Sequence, residues 1–564
     1  MTMRRATGVA LGFVGGSVLA GLLVGVGVTP VLAVAGVGTT SAIDLFDSMP
    51  EYIEIGDLPE RNEIWAYQGG QPVHLVDVWD QNRQELSLDQ ISDTLEHAAI
   101  DGEDKRFRET GGVDATSLVR SVASVIASGG KGGSGGSTIT MQLVRNIKIQ
   151  QASELPTAEE REAGYREATR KSPERKLAEV KLAIGLAKEY SKDEILAAYL
   201  NIAYFGDQTY GVQAAAQRYY GKDASDLTAA EAASLIAIVQ WPERRDLSTP
   251  AHHADNQARR DVILRSMHEQ GHLSDADLAT ALASRPADYV RLTAPQQGCG
   301  SAVRGAEFFC AYAEQVARDL PQLGADPDDR AAAWRTGGYR VQTTLDLDLN
   351  TQQKDLLARH DPATESRLAL GATLDTVEAG TGRVLTMAQN KDFDRSADAP
   401  ATATSLNYAT DESNGGSEGF QVGSTYKMFT LLQWLESGRS PDTVVDGTRK
   451  ARSTWMQCGQ RVTLDEPYDP KNDSPGQTGP YSVRAATAQS VNAAYADMAS
   501  RLDLCDIRDT AARLGVHPAT GGDLPANPAA ILGTTSIAPL TMAGPPTPGS
   551  RTGACTALRS SSTR

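Results

Sequence analysis

Ser424 and Lys427 stand three apart in "GSTYKMFT", residues 423–430. On a helix that spacing brings a hydroxyl and an amine to one face, where a desolvated, neutral lysine can take the hydroxyl proton and make the serine a nucleophile. Acid chemistry is offered much earlier. "DGEDKRFRETGGVD" sets Glu103 and Asp104 among bases and glycines, and "KSPERKLAE" sets Arg175 and Glu179 four apart with Lys176 beside them. Taken singly, each has a bland reading: a chance helical pair, an acidic helix end, a surface ion pair.

The elements around these residues are legible. Ile91, Leu95, Ala98 and Ala99 form a helical stripe leading into Glu103. Next, "SVASVIASGGKGGSGGSTITMQL" is a glycine-rich loop that hands Ser137 and Thr138 to the start of a helix, where free backbone N–H groups can hold an anion. It lacks the Gly-Lys-Ser/Thr order of a nucleotide loop. Two helices follow. Ser172 with Pro173 opens one and a Ser191/Glu194 capping box opens the other. Leu177, Val180, Ile184 and Ala187 form the apolar stripe of the first, leaving Arg175 and Glu179 on a different face. Downstream, "GGYRVQTTLDLDLNTQQ" reads as a strand before a helix, and "LALGATLDTVEAGTGRVLTMAQN" as a hairpin about Gly-Thr-Gly.

With 564 residues the chain is too long for one core, so two or three folded units are expected. A net charge of -17 excludes broad binding to nucleic acid. At the amino terminus Arg4 and Arg5 precede an uncharged apolar run from about Gly8 to Gly38. That run exceeds the roughly 20 residues a membrane-spanning helix needs, and the arginines would stay on the cytoplasmic side. A cleaved signal peptide ending at Ala33 is the alternative, and both readings export the bulk of the chain. In an exported chain its five cysteines permit disulfides. Cys299 with Cys310 and Cys458 with Cys505 are candidate pairs, Cys555 is left over, and no cluster has zinc spacing.

The order "EDKRF", "GGSTITMQLVRN", "RKLAE", "KDEILAAYLN" and "YFGDQTYGVQAAAQRYYGK" resembles the family-51 glycosyltransferase domain of class A penicillin-binding proteins over about residues 80 to 245. The resemblance implies a polymerase of lipid II that inverts the anomeric carbon and expels a lipid pyrophosphate. Glu103 would be its general base. Glu179, with Arg175, Lys176 and a divalent cation (Mg or Mn) where one is used, would meet the pyrophosphate; no tightly bound cofactor is expected. Ser137, Thr138, Gln142 and Arg145 would line the donor side, and Asp104, Phe107, Gly136, Tyr210 and Gly211 complete the expected substrate-binding set. In two places the pattern is broken: Thr110 and Gly111 stand where the family has a histidine stretch, and Met141 replaces a glutamine. Paired carboxylates over a sugar also suit a lysozyme-like hydrolase, but the bases beside Glu179 and the apolar run suit a lipid pyrophosphate donor.

"GSTYKMFT" resembles the Ser-x-x-Lys segment of the same family's transpeptidase domain, and "AQSVNAAYADMAS" its Ser-x-Asn motif. The resemblance implies that Ser424 attacks a D-alanyl-D-alanine peptide, that Lys427 and Ser490 shuttle protons, and that Asn492 holds the peptide amide. No Lys-Thr-Gly follows Asn492, and "PPTPGSRTGACTALRSSSTR" is low in apolar residues, as an unstructured tail would be. The expectation is therefore an incomplete second domain, unstable or impaired in catalysis.

The expected architecture is multidomain. It comprises an N-terminal transmembrane helix, a mainly α lysozyme-like domain, and an incomplete α/β (α+β) penicillin-binding domain. The expected boundaries are 1–38 for the stub and anchor, 39–79 for a membrane-proximal segment, 80–250 for the glycosyltransferase, 251–365 for a linker region, 366–544 for the partial transpeptidase and 545–564 for the tail. Expected partners are lipid II, the growing glycan strand, the membrane, β-lactams if the second site assembles, and cell-wall synthesis or division proteins. The competing functions are a fully bifunctional enzyme and a non-catalytic wall scaffold.

Overall fold

The computed structural model describes residues 48–117, 136–155, 157–294, 297–365, 367–368, 370–544 and 555–559. The expected anchor, residues 1–38, lies outside them; among the described residues no helix is long and apolar enough to cross a membrane. The chain divides into two units: Met1–Arg61 with Asp80–Pro295 and Ser561–Arg564, and Asn62–Trp79 with Gln296–Ser560.

The first unit is helical. Its principal helices are α1 (Asp93–Glu103), α2 (Ile139–Ser153), α3 (Ala158–Thr169), α4 (Pro173–Glu189), α5 (Lys192–Ile202), α6 (Val212–Tyr220), α7 (Ala229–Val239) and α8 (His253–Glu269). Their starts follow the sequence signals. The Thr138 hydroxyl caps α2 by accepting from Met141 N, Ser172 caps α4 ahead of Pro173, and Ser191 with Glu194 closes a capping box on α5. Helix α7, "AAEAASLIAIV", carries apolar residues on every side and is buried almost throughout, so it forms the centre on which α1 and α8 pack. Gly102 lets α1 and α8 approach closely, because a Cβ there would come 3.1 Å from Ile263 Cγ1.

The second unit is built on a sheet whose strands are remote in sequence. Strands β1 (Asn62–Gln68) and β2 (Gln71–Val78) form a hairpin about Gly69 and Gly70, both at positive φ. Strand β3 (Tyr339–Asp346) lies parallel to β1. Ile64, Ala66, Val76, Val341 and Leu345 face a core closed by helix α9 (Glu307–Arg318), and β3 runs directly into helix α10 (Leu347–His360). The expected hairpin forms as β4 (Thr373–Val377) with β5 (Val384–Gln389). A separate core gathers Tyr426, Phe429, Trp434, Trp455 and Tyr495 around helices α11 (Lys427–Glu436), α12 (Asn492–Ala499) and α13 (Leu504–Arg513). Both candidate disulfides are formed, Cys299–Cys310 and Cys458–Cys505.

The structure moves three of the expected boundaries. Residues 62–79 belong to the second unit, because β1 finds its parallel partner in β3, and that pairing cannot be read from local pattern. The expected linker, 251–365, is divided: α8 packs into the first unit's core, whereas α9, β3 and α10 belong to the second. Cys555–Arg559, expected as part of an unstructured tail, forms a strand antiparallel to β3; this short piece contains neither glycine nor proline and occupies an edge that β1 leaves open.

Candidate active sites

In the first unit Glu103 ends α1 with its side chain only 8% exposed. Both carboxylate oxygens are engaged. Arg259, from α8, donates to Oε1 at 2.8 Å, and Gln142, from α2, donates through Nε2 to Oε2 at 3.0 Å. Arg259 also donates to the Gly102 carbonyl, so one guanidinium grips both the end of α1 and its terminal carboxylate. Gln142 in turn accepts from the buried Tyr199 hydroxyl at 3.4 Å.

A second cluster lies at the start of α4. Arg175 and Lys176 share Glu179, one guanidinium N–H on Oε1 and the ammonium 3.2 Å from Oε2. The Glu179 side chain is 3% exposed, which explains why two cations stay with it. Lys176 also donates to Ser137 Oγ at 2.7 Å. Burial pushes the Lys176 pKa down, and Arg145 and Arg175 push the same way, while Glu179 opposes them. Arg145 makes no ion pair among the described residues, which leaves its charge available to an anion.

Helix α2 joins the two clusters. Ser137, just ahead of its N-cap Thr138, touches Lys176, and the start of the helix delivers Gln142 to Glu103. The Thr138 hydroxyl donates to Gly112 O at 2.7 Å while accepting from Met141 N. Asp104 accepts from Ile139 N at 3.2 Å, and burial raises its pKa. Phe107 is fully buried under the Lys192 ammonium, 4.5 Å from the ring centroid. In the altered stretch, Gly112 sits against the Ala183 carbonyl of α4 at positive φ, and the Thr110 hydroxyl is buried without a hydrogen-bond partner.

Not every expected residue joins these clusters. Tyr210 lies under the buried Arg83 guanidinium, 5.1 Å from the ring centroid, and Gly211 turns the backbone into α6 against Asn201. Both hold the backbone after α5, and neither bonds Glu103 or Glu179. Gly136 has its backbone described, just ahead of Ser137, with no bond to either carboxylate. Arg259 was not singled out in sequence, because "RRDVILRSM" reads as an ordinary basic helix until folding aims one of its arginines at Glu103.

In the second unit Ser424 lies in a 3-10 turn, Gly423–Tyr426, which passes into α11 at Lys427, rather than inside an α-helix. The change favours contact, since side chains three apart eclipse in a 3-10 turn. The Lys427 ammonium is 3.1 Å from Ser424 Oγ, 2.9 Å from Ser490 Oγ and 2.6 Å from Asn492 Oδ1, and it also donates to Ser490 O at 2.8 Å. Burial lowers its pKa to about 8. Ser490 adopts positive φ, at 51°, an unusual conformation for serine that turns both its hydroxyl and its carbonyl toward the lysine. Asn492 donates to Lys471 O, which fixes its amide. Sequence reading missed Gly533, whose backbone abuts Gly423 and accepts from Gly423 N at 3.0 Å, bracing the serine turn.

Two stretches of the chain match known protein families. Residues 70–268 match the transglycosylase family and residues 374–544 the penicillin-binding protein transpeptidase domain. Penicillin-binding protein 1F of Bacillus subtilis is 40% identical over 208 residues, 37% of this chain and 26% of that protein. Penicillin-binding protein 1A/1B of Bacillus subtilis is 28% identical over 472 residues, 82% of this chain and 44% of that protein. Penicillin-binding protein 1A of Mycobacterium tuberculosis is 27% identical over 390 residues, 67% and 41% of the two chains. A crystal structure of penicillin-binding protein 1A from Haemophilus influenzae aligns with TM-score 0.42 and 16% identity, covering 86% of this chain and 67% of that one. The chain spans less than half the length of these three curated relatives. A transglycosylase domain is thus followed by a transpeptidase domain. The chain carries both of these domains and is similar to the class A penicillin-binding proteins.

Proposed function

We propose that the first unit polymerises lipid II into glycan strands at the outer face of the cytoplasmic membrane, held there by the apolar run after Arg4 and Arg5. Glu103 takes the proton from the attacking sugar hydroxyl, which adds to the anomeric carbon of the growing chain with inversion. The departing lipid pyrophosphate is received by Lys176, Arg175 and Arg145, whose charges stabilise it as the bond breaks. One observation carries this reading: Ser137, one residue before the N-cap of α2, touches Lys176, and Gln142 in α2 touches Glu103, so one short stretch of chain links the base to the anion cradle.

The donor set does not fit a divalent cation held by the protein. Both Glu179 oxygens are taken by Arg175 and Lys176, and among the described residues no group of three His, Cys, Asp or Glu side chains is placed to hold a metal. The charge on the pyrophosphate is therefore met by ammonium and guanidinium groups.

Purified protein should extend lipid II, and Glu103→Gln should cut the rate by about 10²–10⁴-fold, the usual contribution of a positioned base. Undiminished polymerisation by Glu103→Gln would refute the assignment.

For the second unit we propose acyl transfer through Ser424, with neutral Lys427 as the base and Ser490 relaying the proton. Its support is the convergence of Ser424, Ser490 and Asn492 on one buried ammonium. A fluorescent penicillin should label the wild type and spare Ser424→Ala.

A further inference from the structure

A cavity of about 300 Å³ lies beside the end of α1, with Arg259 in its lining. Gly102 and Lys105, at the end of α1, form one wall, and Arg259, Val262, Ile263 and Arg265 of α8 form the other. Three cations therefore converge on it, and their existing partners hold them unequally. Arg259 is bonded to Glu103, and its Nε is buried without a partner among the described residues. Lys105 has only an exposed pairing with Glu269, side chains 46% and 65% exposed, which water screens. Among the described residues Arg265 reaches no carboxylate and donates only to Asp261 O at 3.3 Å. The other acid in the lining, Asp101, is engaged by His272 at 2.7 Å. Arg259 and Lys105 thus each already face one carboxylate, and Arg265 supplies the charge that the lining's acids, Asp101 and Glu269, leave unmatched, beside an apolar wall.

We infer that this cavity is an oxyanion site taking a carboxylate or phosphate group, and that an anion seated there competes with Glu103 for Arg259. The coupling to catalysis rests on the reading of Glu103 as the base, but the binding does not. Guanidinium forks match both oxyanions, and the donor groups Arg259 offers are shared between Glu103 and the cavity. Linkage then makes the competition reciprocal: whatever frees Arg259 from Glu103 must tighten the anion, and the anion must loosen Glu103.

The test is calorimetric titration of the full chain in detergent, with citrate and with inorganic phosphate as separate probes. At least one should bind, and which one does identifies the chemistry. Arg265→Ala should weaken binding about fivefold or more and Glu103→Gln should tighten it by a comparable factor, both measured in a Lys176→Ala background that removes the ammonium of the pyrophosphate cradle. The inference is overturned if neither probe binds in that background, or if Arg265→Ala or Glu103→Gln leaves affinity there unaltered. None of these readouts requires polymerisation, so an inactive preparation counts against the proposed function alone.

Discussion

Lys427 shows how one side chain can carry a mechanism. It is 4% exposed and faces hydroxyl, carbonyl and amide oxygens with no carboxylate, so burial destabilises its charge and brings its pKa to about 8. In the proposed mechanism the neutral amine is the working form. Acylation of Ser424 by a β-lactam should therefore rise about tenfold per pH unit below 8 and level off above it, as followed by stopped-flow labelling. A rate independent of pH between 6 and 8 would remove Lys427 as the base. Glu103 is handled differently: a fixed guanidinium and a fixed amide hold it in place, and neither partner was visible as such in the sequence. The carboxylates themselves were legible from their motifs. Their partners were not, because Arg259 lies 156 positions from Glu103 and only helix packing brings them together.

The glycines and histidines of two helices decide more than their propensities suggest. Gly185 lies inside α4, where alanine would ordinarily be preferred by about 1 kcal/mol, yet a Cβ there would overlap the Glu51 carbonyl oxygen. The segment it admits buries Ile53 and Leu58 in the first core and sets Glu51 3.3 Å from Lys181. Gly185→Ala should thus destabilise the unit by about 1–3 kcal/mol instead of stabilising it, measurable by thermal unfolding. Helix α1 carries His97, stacked on His272 with ring centroids 3.8 Å apart. Burial and His272 lower the His97 pKa, Arg108 adds to this, and Asp101 and Asp93 oppose it. The unfolded chain then takes up a proton that the fold resists. Stability should fall as pH drops below about 6.5, and His97→Gln should flatten that slope in a series of melting temperatures against pH.

For the molecule as a whole, the disulfides show how differently the second unit's cores are secured. Cys458–Cys505 closes 47 residues and ties the strand pair Arg452–Gln457 and Gln460–Tyr468 to α13, whereas Cys299–Cys310 closes 11. Chain entropy assigns about 4 kcal/mol to the longer loop and about 3 kcal/mol to the shorter. Cys505→Ala should therefore lower the denaturation midpoint of the second unit more than Cys310→Ala does, and equal midpoints would contradict that account. By itself the sequence determined the helix starts and the β4–β5 hairpin, and it singled out the cysteine pairs and the candidate acids and nucleophile, because caps, turns and short motifs are local and act within a few residues. Tertiary structure alone decided that residues 62–79 join β3, that α8 arms Glu103, that Tyr210 and Gly211 serve the backbone, and that Ser424 sits on a 3-10 turn. Those outcomes depend on contacts between segments far apart in the chain, whose energies come from burial and close packing that no local pattern encodes.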